Sequence, residues 1–287
     1  MNGSLLASRL AATLLSPSGP RGRLAVFTYH QVVERRDPFR PGEPDPEQFR
    51  NDLGVIGRLF DVLPLPEAAA RLAEGRLPAR AACITFDDGY ANNHSIAAPL
   101  LEAAGLPATF FIATGAIDDG VMWNDLVIEA VAHCGDALVV DPELELDVVP
   151  RDRPSMTYER LASLLERLKY RSLERRWEAA IRLYRDNVRA ETPQLMMTRE
   201  QVADLARRGF DIGGHTVRHP ILAELDDDGA KAEIEGCRRW IEEVTGRSPT
   251  TFAYPNGRPN KDFKAAHRRM VEDAGFSVAV TTEWGFA

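Results

Sequence analysis

AACITFDDGYANNHSIAAPLLEAAGLPATFFIATG, residues 81–115, decides how the chain folds. It opens on an apolar run, AACITF (81–86), that breaks into Asp87-Asp88-Gly89-Tyr90. A short apolar run bounded by turn residues reads as a strand buried on both faces. Asn92 to Ala104 then reads as a helix, and Gly105 stops it, because glycine takes the left-handed conformation that closes a helix. PATFFIATG (107–115) is a second apolar strand. Strand, helix and strand in this order make a unit with parallel strands and a crossover helix.

The alternation extends in both directions. Upstream, LAVFTYH (24–30) is a β-rich run, Phe49, Leu53, Ile56 and Phe60 follow at helical spacing, Asp61 to Leu65 is a short strand, and PEAAARLAEG is a helix closed by Gly75. Downstream, Thr198 is an N-cap with Gln201 as its capping-box partner, and Gly209 stops that helix. FDIGGHT (210–216) is a strand and turn, Gly229 to Val244 a helix ended by Gly246, and PTTFAYPNG (249–257) a strand and turn. Asp262 to Ala274 is a helix ended by Gly275, and FSVAVTT (276–282) is the last strand. Six or seven such units favour an α/β barrel over an open sheet. The pattern breaks at residues 118–195, which are charged and helical, above all Tyr158 to Val188, and read as a helical insertion facing mostly solvent. The expected organisation is an N-terminal amphipathic helix over 1–22, a barrel over 23–117 and 196–287, and the insertion over 118–195.

Composition narrows the function classes. The chain has 287 residues, 44% hydrophobic and 27% charged, as expected of a globular protein with a sizeable core. A net charge of -8 argues against a nucleic-acid binder, which needs clustered Lys and Arg. Cys83, Cys134 and Cys237 are far apart with no CxxC, so they read as reduced thiols. The N-terminus, MNGSLLASRLAATLLSPSGP, has no basic start, and Ser8 and Arg9 interrupt its apolar part, so it does not read as a secretory signal. Leu5, Leu6, Leu10 and Leu14 suggest instead a short amphipathic helix packed on the domain, with a peripheral membrane role as the alternative. With no apolar run long enough to span a bilayer, a cytoplasmic location is expected.

The chemistry-bearing residues gather just after the strands: Tyr29-His30, Asp87-Asp88, His215 through His219, and Tyr254-Pro255-Asn256-Gly257. In a parallel α/β fold these ends converge on one mouth. His215 and His219 are four apart and can share a metal, and Asp87 or Asp88 is the obvious third ligand. Adjacent residues at a strand end point in different directions, so one carboxylate can ligate while the other faces a water. Alone, an Asp pair is cheap: Asp118-Asp119 and Asp226–Asp228 read as surface loops. His94, His133 and His267 lie in helical patterns and read as ordinary surface or packing residues. His30 ends an apolar strand and should point into the mouth, with functional and structural readings both open.

TFDDGY (85–90), HTVRH (215–219), PATFFIATG, FDIGGHTVRHPILAEL and FAYPNG together resemble the polysaccharide deacetylase family, the carbohydrate esterases with a chitooligosaccharide-deacetylase-like domain. FAYPNG is similar to the subgroup linked to exopolysaccharide deacetylation. The resemblance implies a distorted (β/α) barrel of about seven parallel strands, with Asp87 as general base and Asp88, His215 and His219 as ligands of one divalent metal, zinc first among the candidates. It implies a backbone N–H of Asn256 at the oxyanion, and Tyr254 and Pro255 at the substrate. The implied substrate is an N-acetylated oligosaccharide or polysaccharide, and acetate is released. Two departures stand out. Ala253 occupies a position where many members carry an arginine against the base. The late Leu-x-x-His-like motif, source of the usual general acid, is not visible before the chain stops at TTEWGFA, which leaves His30 or Asp87 itself to return the proton. Trp123 and Asp125, in MWND, are candidates to cover the mouth, against a plain helix cap and packed indole. Two other functions stay open: an amide hydrolase on a small non-sugar substrate, and a catalytically silent carbohydrate-binding relative.

Overall fold

The computed structural model of the chain describes residues 3–134, 138, 154–285 and 287. In chain order the elements begin with α1 (Gly3–Leu15), β1 (Ala25–Tyr29), α2 (Pro46–Leu59), β2 (Asp61–Val62), α3 (Leu65–Ala73) and β3 (Ala81–Phe86). A π-helical turn (Asn93–Ala97) runs into α4 (Ala98–Ala104), followed by β4 (Thr109–Ile112) and α5 (Thr114–Asp119). Then come α6 (Trp123–His133), α7 (Pro154–Lys169), α8 (Leu173–Asn187), α9 (Arg199–Arg207) and β5 (Asp211–Gly214). The chain continues with α10 (Asp227–Thr245), β6 (Thr251–Ala253), α11 (Ala265–Asp273) and β7 (Val278–Val280). It divides into two compact units, one of residues 1–35, 43–118 and 197–287, the other of residues 36–42 and 119–196.

In the first unit every strand pair is parallel, in the order β1-β3-β4-β5-β6-β7, with β2 also on β3. With its helices this sheet forms the half-barrel of a distorted (β/α) barrel. Leu24, just before β1, exchanges backbone hydrogen bonds of 2.8 and 3.1 Å with Ala287, beyond β7. All of β3 and β4 is buried, as continuous apolar runs require. The register sets Tyr29 beside Phe86, and Phe86 beside Phe110. Their rings stack across three strands, with centroids 5.4 and 5.1 Å apart, and Phe49 of α2 meets both Tyr29 and Phe86 edge-on. Such pairs each add about 0.5–1.5 kcal/mol beyond their burial, and this row lies one residue below Asp87.

At the opposite ends of the strands, Asp211 accepts hydrogen bonds from the hydroxyls of Thr109 (3.0 Å) and Thr251 (2.9 Å). One carboxylate thereby fastens the beginnings of β4, β5 and β6. Burial raises its pKa, and the two threonine hydroxyls work against that rise.

In α1 the apolar side chains do not all pack as the sequence suggested. Leu10 and Leu14 are 59% and 84% exposed, because they share a helix face turned to solvent. The side chains of Leu5 and Leu6 lie outside the described residues. The end of α1 is held by polar contacts: Arg80 donates to Thr13 Oγ1 and to the Ser16 carbonyl, both at 2.8 Å. Among the described residues no helix is long and apolar enough to cross a membrane. The three cysteines are free and buried.

The second unit is helical, and beneath its charged outer faces it has a core of its own. Leu126, Val127, Ala130 and Val131 of α6 pack with Leu161, Leu164 and Leu168 of α7 and Ala180, Leu183 and Tyr184 of α8. The i, i+3, i+4 spacing on each helix puts these residues on one stripe, so the unit has its own core. Phe39 packs on that core, and Arg40 reaches Asp37 (2.7 Å), Glu129 (2.8 Å) and the buried Asp125 (3.3 Å).

Candidate active site

β3 delivers two adjacent carboxylates and then turns away from the sheet. The Asp87 N–H donates to the Tyr29 carbonyl at 2.9 Å, which extends the ladder by one residue. Asp88 and Gly89 both have positive φ, 76° and 94°. A Cβ at Gly89 would meet Ile117 Cδ1 at 3.1 Å in a backbone conformation that L side chains rarely adopt, so the glycine of TFDDGY is needed there. Asp87 and Asp88 are both buried at this turn, and Asp88 comes within reach of both imidazoles of the histidine loop.

β5 delivers the histidines. Gly213 and Gly214 precede them because the sheet is crowded at that point: a Cβ at Gly213 would lie 2.5 Å from both the Phe111 ring and Thr251 Oγ1. Thr216 and His219 have φ of 64° and 52°, unusual for a histidine and an outlier for a β-branched residue. The Thr216 hydroxyl donates to the His215 carbonyl and accepts the His219 N–H at 3.1 Å, closing the turn on itself. The His215 Nδ1–H donates to the Ala253 carbonyl at 2.8 Å, which leaves the lone pair on Nε2 facing the carboxylates.

Asp88 Oδ1 lies 3.5 Å from His215 Nε2 and 3.6 Å from His219 Nε2. One ligand atom from each of the three residues falls within 4.8 Å of the others. Donors at ~2.0–2.1 Å from a tetrahedral ion sit roughly 3.3 Å apart, so the set needs little adjustment to hold one. Asp87 Oδ1 and Asp88 Oδ1 are both buried without a hydrogen-bond donor. Buried carboxylate oxygens in that state are costly unless a cation or a proton arrives. Two imidazoles and a carboxylate oxygen with an unfilled oxygen beside them fit a divalent metal and a water.

The two carboxyls titrate in opposite directions. Burial raises the Asp87 pKa and the charge of Asp88 adds to the rise, while His215 and His30 pull it down without cancelling it. Burial also works to raise Asp88, but His215, His219 and His30 outweigh it and hold that carboxyl well below the usual range. Two like groups driven apart by their surroundings are the pattern expected of a ligand beside a base. The side chains that lower the Asp87 pKa are imidazoles, His215 and His30, while Ala253 is buried among apolar residues.

His30 stands at the end of β1 with a half-exposed side chain, its Nδ1 4.0 Å from Glu43 Oε1. Its carbonyl accepts from Asn93 Nδ2 at 2.8 Å, so the π-helical turn after TFDDGY anchors it. Burial opposes its protonation and so does His215, but Asp88, Asp87 and Glu43 prevail and raise its pKa.

After β6 the Tyr254 ring is buried, stacked on Phe263 with centroids 3.8 Å apart, and Pro255 is buried too. Asn256 has φ of 60°, and its carbonyl accepts from Thr282 Oγ1 at 2.6 Å, which fixes the turn. Trp123 and Asp125 belong to the second unit. There Arg176 stacks over the Trp123 ring at 5.0 Å, and Asp125 pairs with Arg40. His94 pairs with Asp204 at 2.9 Å, His133 with Glu129 at 3.2 Å, and the buried His267 accepts the Lys264 N–H at 3.1 Å.

One residue that the sequence reading passed over touches the histidine loop directly. Glu233 of α10 accepts the N–H groups of Val217 (2.9 Å) and Arg218 (2.8 Å). A signal for it existed: Glu233 falls beside the apolar stripe Ala230, Ile234, Cys237 and Ile241, where an acidic residue needs a partner.

A family model described as "Polysaccharide deacetylase" matches residues 74–278. Among curated proteins, the chain is 22% identical over 230 residues to "Putative polysaccharide deacetylase YxkH" of Bacillus subtilis, covering 79% of this chain and 54% of that protein. The chain thus spans about half the length of this relative. Among solved structures, it is similar to the deacetylase PplD of Streptococcus pyogenes, described in complex with acetate (TM-score 0.60, 17% identity, 92% of this chain and 86% of that one). It is also similar to IcaB from Ammonifex degensii (TM-score 0.55, 17% identity, 93% and 84%). The deacetylase domain of BpsB from Bordetella bronchiseptica gives a TM-score of 0.52 at 18% identity, over 92% and 90% of the chains. At these identities the structural likenesses establish the fold.

Proposed function

This chain belongs to the polysaccharide deacetylase family, and from that premise we propose that it hydrolyses N-acetyl groups of an oligosaccharide or polysaccharide, releasing acetate and a free amino sugar. The observation that carries the reading is the convergence of Asp88, His215 and His219 beside a second buried carboxyl, Asp87, with an unpartnered oxygen. Asp88, His215 and His219 would hold one divalent ion, and the nitrogen-rich set with a single carboxylate suits zinc. When bound, such an ion supplies Lewis acidity toward both a water and the acetyl oxygen.

The chain's own groups do the rest. Asp87, its basicity raised by burial, accepts the proton of the attacking water. The backbone N–H of Asn256, at a turn fixed by Thr282, donates to the oxygen that gains negative charge at the acetyl carbon. The departing amine needs a proton. His30, whose pKa the carboxylates around it raise, supplies it, or Asp87 returns the one it took. Tyr254 and Pro255 shape the floor of this turn, while Trp123 and Asp125, buried and paired with Arg176 and Arg40, serve the helical unit itself.

Acetate release from an N-acetylglucosamine oligomer, followed before and after chelation and after zinc is restored, tests the proposal. Activity should vanish on chelation and return with zinc. Full turnover in the metal-free protein would overturn the reading. Sugar binding with no acetate release, with zinc present, would favour a silent relative.

A further inference from the structure

The HTVRH turn holds two of the three ligand candidates, and it is held in place from two sides. On one side the first amides of α5 point at it: Thr114 N–H donates to the Thr216 carbonyl at 3.1 Å and Gly115 N–H to the Val217 carbonyl at 2.7 Å. On the other side both remaining amides at the tip, Val217 and Arg218, donate to one oxygen of Glu233. Both contacts are close. A Cβ at Gly115 would lie 2.9 Å from the Val217 carbonyl oxygen, and one at Gly236, a turn along α10 from Glu233, would lie 2.8 Å from Val217 Cγ2.

The turn needs this restraint. Thr216 and His219 have left-handed backbones, which carry strain and persist where surrounding contacts over-determine them. The two amides at the tip lie between the histidines, so releasing them lets the backbone relax and swings the imidazoles relative to Asp88.

We propose that Glu233 is a positioning residue for the metal ligands, fixing the Val217 and Arg218 amides so that His215 and His219 present their Nε2 atoms to the ion beside Asp88. The proposal rests on the metal-site reading above, but it makes a claim about the chain that can be measured without metal.

The experiment compares Glu233→Ala and Glu233→Gln with a control, Asp211→Ala, which removes a buried carboxylate from the far ends of the strands. Glu233→Met, which keeps the length without an acceptor, replaces the alanine variant should that one fail to fold. Amide hydrogen exchange at residues 217 and 218 in the metal-free protein should accelerate by more than about tenfold in Glu233→Ala, and little in Glu233→Gln, which keeps a carbonyl acceptor. Zinc titration of the metal-free proteins should show affinity lowered about 10–100-fold in Glu233→Ala, the usual effect of losing a group that orients a ligand. Glu233→Gln should stay close to the wild type. Asp211→Ala should lower Tm yet bind zinc normally, which separates positioning from general destabilisation. If Glu233→Ala loses Tm but keeps wild-type zinc affinity, Glu233 is merely structural and the proposal fails. If the wild type itself takes up no zinc, the metal-site reading falls and takes this proposal with it, whatever the exchange result. If exchange at 217 and 218 is unchanged while the wild type binds zinc, the role of Glu233 alone is overturned.

Discussion

The two ends of the same parallel sheet carry buried carboxylates under opposite conditions. At the strand beginnings, Asp211 accepts from two threonine hydroxyls on neighbouring strands. At the strand ends, Asp87 and Asp88 each keep a buried oxygen with no donor. Left-handed backbone is found at both ends, at Arg80 before β3 as well as at Asp88, Thr216, His219 and Asn256 beyond strand ends. A satisfied carboxylate builds a fold, whereas unsatisfied carboxylate oxygens wait for a ligand. The helical unit sides with the strand beginnings: the buried Asp125 is answered by Arg40. Burial and charge alone therefore do not mark the site, but buried carboxylate oxygens without a donor do: among the described residues these belong to Asp87 and Asp88.

The largest effects should come from the end with missing partners. Asp87→Asn keeps shape but removes basicity, so it should retain zinc and lose on the order of 10²–10⁴ in kcat, the range for a positioned base. Asp88→Asn should weaken zinc binding, with activity returning in part as zinc is added in excess. Metal titration beside acetate-release kinetics separates the two. Rescue of Asp87→Asn but not Asp88→Asn would reverse the roles, and unchanged turnover in both would move the active site elsewhere.

Much of this comparison was legible in the sequence because the fold announces its strand ends. AACITF is nearly all apolar, so the carboxylates that follow it, Asp87 and Asp88, are conspicuous, and His215 stands in the same way just after the short strand of FDIGGHT. Gly75, Gly105, Gly209, Gly246 and Gly275, read as helix stops, all have positive φ. What was not legible depends on contacts distant in sequence. Glu233 looks like any other acid on a charged helix until the loop bearing Val217 and Arg218 is placed against it. The association of residues 36–42 with the helical unit rests on Phe39 and Arg40 meeting α6, and no local pattern encodes it. FAYPNG suggested a tyrosine at the substrate, yet a tyrosine can also pack by its ring, and Tyr254 lies flat on Phe263.

A middle-sized effect should fall on His30, which shares the strand-end site but is half-exposed. Asn in its place should leave zinc affinity within about threefold and lower kcat by about 10²-fold, the lower end of the range for a positioned acid. The carboxylates raise the His30 pKa above the ordinary imidazole value, so the wild type should lose kcat as pH rises through that raised value. His30→Asn should lack this alkaline limb. A kcat–pH profile with the limb intact in the variant would assign the proton to Asp87 instead.

The smallest effect, and the sharpest test of the contrast, concerns Asp211 and leaves catalysis untouched. Burial raises its folded-state pKa above the unfolded value, in spite of the two hydroxyls. Below the unfolded value both states hold the proton and Asp211 adds no pH dependence. Between the two values the folded protein binds a proton that the unfolded chain has released, so stability falls as pH rises. Above the folded value the penalty is complete and constant. Asp211→Asn never ionises, so its stability lacks this slope. Denaturant unfolding of both proteins from about pH 4 to pH 7 should therefore show the wild type losing ground to the variant as pH increases, with kcat/KM and zinc affinity alike in the two. If the wild type instead gains on Asp211→Asn as pH rises, the ionised form is the favoured one, the threonine hydroxyls outweigh burial, and the base of the sheet stabilises a charge rather than merely tolerating it.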